Sequence, residues 1–344
     1  MTLARLKLLS DHYAFDATPQ FNDVGIYHVP FESMFAGTPV ERRFRDGTLR
    51  GERIALIGDS GCGKTSLVSY VLGPTAESVA PILVPVHSLE HDATKETLIA
   101  DMIISQLIRL AQEIGYPTTD TNDTIGQRRQ VTRVNRSSRG LSVHPPGWIA
   151  RAGIAKQIER QITTTESNTL VDKIEVIHQC LRPIRGDGLM PVFVFDDTDR
   201  WTAAAEETIV SGFFGNAIRW LADLQASVVV ATHTRYLEST TENSNLLMFL
   251  DTKVELPRIP SADQLARILH QRVQIHLGPP NGDDSTWRLE DVVASSAIKE
   301  LYRQYERGSS LRKVIQLAHM ALVETVDANK DTITGREIQA VVRA

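Results

Sequence analysis

Between residues 53 and 256 the chain alternates short apolar runs with longer stretches in which apolar residues recur every three or four positions. The runs Ile54 to Ile57, Ile82 to Val86, Val192 to Phe195, Val228 to Ala231 and Lys253 to Leu256 read as buried strands. Helical spacing marks TKETLIADMIISQLIRLAQEIG (94–115) and VDKIEVIHQCL (171–181). Strands alternating with helices predict an α/β core, a five-stranded parallel sheet covered on both faces. Right-handed crossovers then bring the ends of the first and third strands to one carboxyl edge.

After Leu256 the pattern changes. Pro257 and Pro260 punctuate the chain, and four helices are expected beyond them, in SADQLARILHQRVQIHL, near 290–306, in SSLRKVIQLAHMALVETVDA and in TGREIQAVVRA. Ser261 and Thr334 are the expected N-caps. The expected division is therefore an N-terminal segment at 1–52, a core at 53–257 and a small all-helical domain at 258–344. Residues from about 116 to 169 break the rhythm, being weakly periodic and rich in Pro, Gly, Ser and Thr. They read as an insertion between the second and third strands. Its cations are Arg128, Arg129, Arg133, Arg136, Arg139, Arg151, Lys156 and Arg160; Trp148 lies beside Pro145 and Pro146.

Charge narrows the choice of partners. Among 344 residues, 37 Lys and Arg face 42 Asp and Glu, and the net charge of -5 gives no overall attraction to nucleic acid or to an anionic membrane. Any such contact has to be local. The arginine-rich insertion is open to three readings: a nucleic-acid contact, a protein docking element or a solvated loop. No apolar run has the length of a membrane span, and the N-terminus lacks a signal-peptide core, so a cytoplasmic protein is expected. Cys62 and Cys180 are the only cysteines, which suits a reducing compartment. The ten histidines show no metal-ligand spacing.

Two strand ends carry the chemistry. RIALIGDSGCGKTSLVSYVL (53–72) places Gly58, Gly63, Lys64 and Thr65 in the order G-x-x-x-x-G-K-[ST], between an apolar run and a helix. Glycines at 58, 61 and 63 permit backbone conformations in which successive N–H groups point at phosphate oxygens. Gly58, Asp59, Ser60, Gly61, Cys62, Gly63, Lys64, Thr65 and Ser66 thus form the expected ATP phosphate cradle. Lys64 reaches the β/γ-phosphates and Thr65 ligates Mg2+. PVFVFDDTDRW (191–201) ends the third strand in acids, the usual way to hold magnesium beside a phosphate.

The P-loop, the acidic strand end, the polar ATHTR after the fourth strand and the tail opening at ERGSSLRKVIQLAHMAL together resemble an AAA+ ATPase over most of residues 30–344. The tail resembles the lid of the origin-recognition, helicase-loader and transposition-regulator clade, while FDDTDRW is also similar to the KAP and STAND signalling NTPases. The resemblance implies that Asp196 holds Mg2+ through water and that Asp197 orients the attacking water. Aspartate at the second place, one methylene shorter than glutamate, implies slower turnover. It further implies a polar sensor at Thr232 on an initiator-like alignment or at Arg235 on a STAND-like one, and Arg312 as the lid residue that meets the γ-phosphate. Asp199 is expected as a helix N-cap, and Arg200 and Arg219 as candidates for an arginine offered to a neighbouring subunit. His233 has a structural alternative.

Three functions follow from the resemblance. One is an ATPase whose nucleotide-dependent ring or filament regulates a separate effector, in DNA transactions or antiviral defence. Another is a slowly hydrolysing signalling scaffold, and the third a DNA-loading or target-selecting ATPase.

Overall fold

The computed structural model describes residues 2–17, 24–35, 39–73, 77–86, 95–113, 169–196, 198, 212–234, 250–278 and 287–343. The chain begins with α1 (Thr2–Asp11) and α2 (Val40–Leu49), followed by β1 (Arg53–Ile57), α3 (Lys64–Leu72) and β2 (Val79–Pro85). Next come α4 (Glu96–Glu113), α5 (Leu170–Gly186), β3 (Met190–Asp196), β4 (Ser227–Thr232) and β5 (Thr252–Glu255). The tail contributes α6 (Ala262–Leu277), α7 (Ser295–Glu306), α8 (Leu311–Asp327) and α9 (Gly335–Arg343). These elements pack into two compact units.

One unit comprises residues 40–58 and 71–255. Its sheet is parallel throughout, in the order β2-β3-β4-β1-β5. All five expected strands are present. β2 starts at Val79, ahead of the apolar run at Ile82, and so contains Pro81. An edge strand tolerates proline because one side of its ladder is unpaired. Pro191 of β3 pairs with β2 but precedes the β4 register, which opens at Val192 and Ser227.

The two sheet faces alternate along each strand. Ala55, Ile57, Ile82, Phe193, Phe195, Val228 and Val230 share a buried core with Ile99, Ile103 and Leu107 of α4, Val176, Ile177 and Leu181 of α5, and Phe213 and Phe214. Thr169 and Asp172 cap α5 reciprocally. Ile54 points to the other face, where Gly47 of α2 comes so close that a Cβ there would lie 3.1 Å from the Ile54 side chain. Val40 and Phe44 bury the same side of α2, while Arg42, Arg43 and Arg45 are exposed. At the amino edge of the sheet, Arg53 pairs with Asp251 at 2.7 Å, and its hydrogen bond holds that carboxyl below the ordinary range.

The other unit comprises residues 1–39, 59–70 and 256–344. α1 packs on α6 and α8, and α9 packs on α7 and α8. Ser261 caps α6 by accepting the Gln264 N–H at 3.4 Å, and Ser310 caps α8 by accepting that of Lys313 at 3.2 Å. Thr334 precedes α9, and its backbone and side chain both donate to Glu337. Arg272 of α6 is buried, and its guanidinium donates to the carbonyls of Ala14 and Asp16 and lies 4.5 Å from the Tyr27 ring centre. Burial lowers its pKa to about 10, yet the charge survives at neutral pH and ties the N-terminal residues to α6.

Candidate functional site

β1 stops at Ile57, and the next residue extends its pairing, because Gly58 N–H donates to the Thr232 carbonyl at 3.1 Å. The following loop folds about a single oxygen. The Asp59 carbonyl accepts both the Cys62 N–H at 3.2 Å and the Lys64 ammonium at 3.0 Å. Gly61 and Gly63 adopt φ of 70° and 105°, the left-handed region that favours glycine. Lys64 opens α3 and is only 6% exposed, so its charge is held at the loop's centre. Ser60 is exposed, while Cys62, Thr65 and Ser66 are half-buried.

Neighbours from the same unit enclose this loop. A Cβ on Gly61 would lie 3.0 Å from the Arg312 Cβ and 3.3 Å from the Ser310 Cβ, so the start of α8 rests directly on the loop. Arg312 itself is exposed. The Asp59 carboxylate accepts Nε and Nη2 of Arg258 at 2.9 and 2.6 Å. One residue on, Ile259 N–H donates to the Tyr305 hydroxyl at 3.2 Å. The imidazole of His28 lies 3.3 Å from the Ser66 hydroxyl and stacks on Tyr70 with ring centres 4.6 Å apart. Sequence reasoning named none of His28, Arg258 and Tyr305. The one available signal was Arg258 between Pro257 and Pro260, in a segment read only as a boundary.

The sheet unit supplies the acidic and polar strand ends. Asp196 closes β3, half-buried, beyond the last paired residues Phe195 and Val230. Thr198 donates its hydroxyl to the Ala231 carbonyl, which ties the segment after β3 to β4. Thr232 closes β4 opposite Ile57 and is fully buried. Its hydroxyl has no hydrogen-bond partner among the described residues. The His233 ring lies 3.4 Å from the Thr234 hydroxyl, a contact that suits a structural histidine. Arg219 is exposed on a short 3-10 segment. Asp197, Asp199, Arg200, Arg235, Trp148 and the insertion's cations at 128–160 lie outside the described residues.

Cys62 and Cys180 are both free, and burial pushes the Cys180 thiol up to about 12, so it is a packing residue. No helix among the described residues is long and apolar enough to cross a membrane.

A parallel sheet in this strand order, with a glycine loop and helix after β1 and a helical region after β5, has the AAA+ architecture of P-loop ATPases. Its structural neighbours are archaeal origin-recognition proteins of the ORC1/Cdc6 type. The Aeropyrum pernix ORC1 protein in complex with DNA matches with a TM-score of 0.50 and 13% identity, covering 92% of this chain and 65% of that one. The Aeropyrum pernix ORC2 protein, in ADPNP–ADP complexes, matches with a TM-score of 0.50 and 13% identity, covering 88% of this chain and 66% of that one. The chain thus spans just under two thirds of either neighbour's length, and at this identity the likeness is one of fold. No protein-family model and no curated protein matches the chain.

Proposed function

We propose that the chain is a Mg2+-dependent ATPase of AAA+ type whose nucleotide state sets its self-assembly and thereby controls a separate effector acting on nucleic acid. The observation that carries this reading is the buried Lys64 ammonium at the centre of a loop whose Gly61 and Gly63 take left-handed conformations. That geometry fits a triphosphate, since the loop can turn backbone N–H groups and one fixed cation toward the same anion.

The roles follow from the chemistry of each group. Gly58 through Ser66 would cradle the phosphates, with Lys64 passing from the Asp59 carbonyl to a phosphate oxygen. Thr65 and Asp196 would hold Mg2+, which when bound neutralises charge on the β- and γ-oxygens. Asp197 would orient the water whose oxygen bonds to the γ-phosphorus as the bond to ADP breaks. Thr232 would donate its buried hydroxyl to that water or to the γ-phosphate, and Arg312 would report the γ-phosphate to α8. A cation from a second copy of the chain, with Arg219 and Arg200 as candidates, would complete the site on assembly. The DNA named in the ORC1 structure supports a nucleic-acid setting for the effector.

The test is steady-state ATP hydrolysis with particle mass by light scattering, for wild type, Lys64→Ala and Asp197→Asn. The expected result is turnover that rises with oligomer formation, is absent in Lys64→Ala, and is absent in Asp197→Asn although that variant assembles on ATP. A monomer with no turnover at any concentration overturns the reading.

A further inference from the structure

The segment RRFRDGTLRGER (42–53) contains five arginines, and the fold treats them in two ways. Arg53 is matched to Asp251 and Arg50 to Glu52, at 2.7 and 2.6 Å. Arg42, Arg43 and Arg45 are exposed on α2, and no carboxylate among the described residues pairs with any of them. At about 100° per residue these three share an arc of roughly 160° with Asp46, Leu49 and Arg50. Asp46 offsets part of the charge and leaves a positive excess.

We propose that this outer face of α2 is a contact surface for the phosphate backbone of nucleic acid. The helix is fixed for the task by Val40, Phe44, Gly47 and Thr48, all buried, with Gly47 against Ile54. Its outward side chains therefore present a rigid row, which lowers the entropy lost on binding. A guanidinium matches two phosphate oxygens at once. The rise of about 1.5 Å per residue sets Arg42 and Arg45 roughly 4.5 Å apart along the axis, close enough for adjacent phosphates to be reached by flexible arms. A membrane is the poorer fit, because a helix lying in a bilayer surface needs a free apolar face. The apolar face of α2 is spent on the sheet, and Leu49 is its only exposed apolar residue. With a net charge of -5, attraction has to come from such a patch. No residue of α2 belongs to the phosphate loop, so the proposal does not rest on ATP hydrolysis.

The experiment titrates the full chain into a short fluorescein-labelled DNA duplex, by anisotropy, between about 50 and 200 mM salt. It compares wild type with R42A/R43A/R45A and R42K/R43K/R45K. The expected result is a slope of log K against log salt that is shallower by about 2 to 3 in the alanine variant, one unit for each phosphate released. Affinity should fall at least about tenfold and be largely retained in the lysine variant. Thermal melts and binding of a fluorescent ATP analogue should match wild type, which separates loss of the patch from loss of the fold. An unchanged slope in the alanine variant overturns the proposal, as does a wild type that binds no duplex at low salt. So does a patch needed only for phosphatidylserine vesicles. A wild type that binds duplex through these arginines but no ATP analogue would instead sink the ATPase reading and leave this surface standing.

Discussion

The carbonyl of Thr232 accepts the N–H of Gly58 at 3.1 Å, while the hydroxyl of the same threonine is buried and has no partner among the described residues. One end of the residue anchors the first glycine of the phosphate loop, and the other carries an unspent hydrogen bond. A buried hydroxyl without a partner costs on the order of 1–3 kcal/mol. Retaining it at that place makes sense if a ligand completes it.

Thr232→Val should therefore move stability and activity in opposite directions. Valine keeps the shape and removes the unsatisfied oxygen, so thermal denaturation should show a melting temperature equal to or above that of wild type. ATP hydrolysis should fall by about ten- to a hundredfold if one transition-state hydrogen bond is lost. Equal loss of stability and turnover would show that the hydroxyl serves the fold.

Gly61→Ala combines two penalties. An L-residue at φ 70° is strained by about 1–2 kcal/mol, and the new methyl would meet the Arg312 Cβ at 3.0 Å. The start of α8 has to shift off the loop. Isothermal titration with ATP should show at least about a tenfold loss of affinity. Wild-type affinity would mean that loop and α8 are uncoupled.

Arg258 is 79% exposed, so its pair with Asp59 should contribute less than about 1 kcal/mol to stability. Its electrostatic effect on nucleotide is another matter. Arg258→Ala leaves the Asp59 carboxylate uncompensated in a loop that has to accept phosphates, and ATP affinity should drop several-fold. Adding Asp59→Asn should recover most of that loss. A double variant no better than Arg258→Ala would remove charge balance as the cause.

Glu337 provides a pH test. Burial opposes its charge, but hydrogen bonds from Lys330 and Thr334 prevail and hold its carboxyl down to about 2, from an ordinary 4.5. The folded form is thus favoured by the ionised group, with stability fully present above pH 4.5 and lost as pH falls toward 2. The contribution is on the order of 3 kcal/mol at neutral pH. Glu337→Gln should lower stability to chemical denaturation at pH 7, and the gap to wild type should close as pH falls through that window. A gap independent of pH would assign the loss to packing.

The strands were legible because parallel strands buried on both faces have to be continuous apolar runs, as Val228 to Ala231 is. Where local chemistry contradicts position, boundaries slipped: Pro81 reads as a breaker, and only its place on an edge strand makes it acceptable. The phosphate loop was legible as a contiguous motif whose glycines have a conformational reason. His28, Arg258 and Tyr305 were not, since each meets the loop or its flank across tens to hundreds of residues and follows no period. α2 was missed for a related reason. Two apolar anchors, Val40 and Phe44, hold it in place among mostly polar neighbours.

Arg272 joins Ala14 and Asp16 across more than 250 residues, and α1 rests on α8. During synthesis the N-terminal helix leaves the ribosome long before its partners exist. Residues 40–255 emerge in sequence and can settle their sheet first, but the unit that encloses Asp59–Tyr70 waits for residues 256–344. The phosphate loop is therefore among the last parts of the molecule to acquire its surroundings. A nascent chain has to be finished before it can respond to nucleotide.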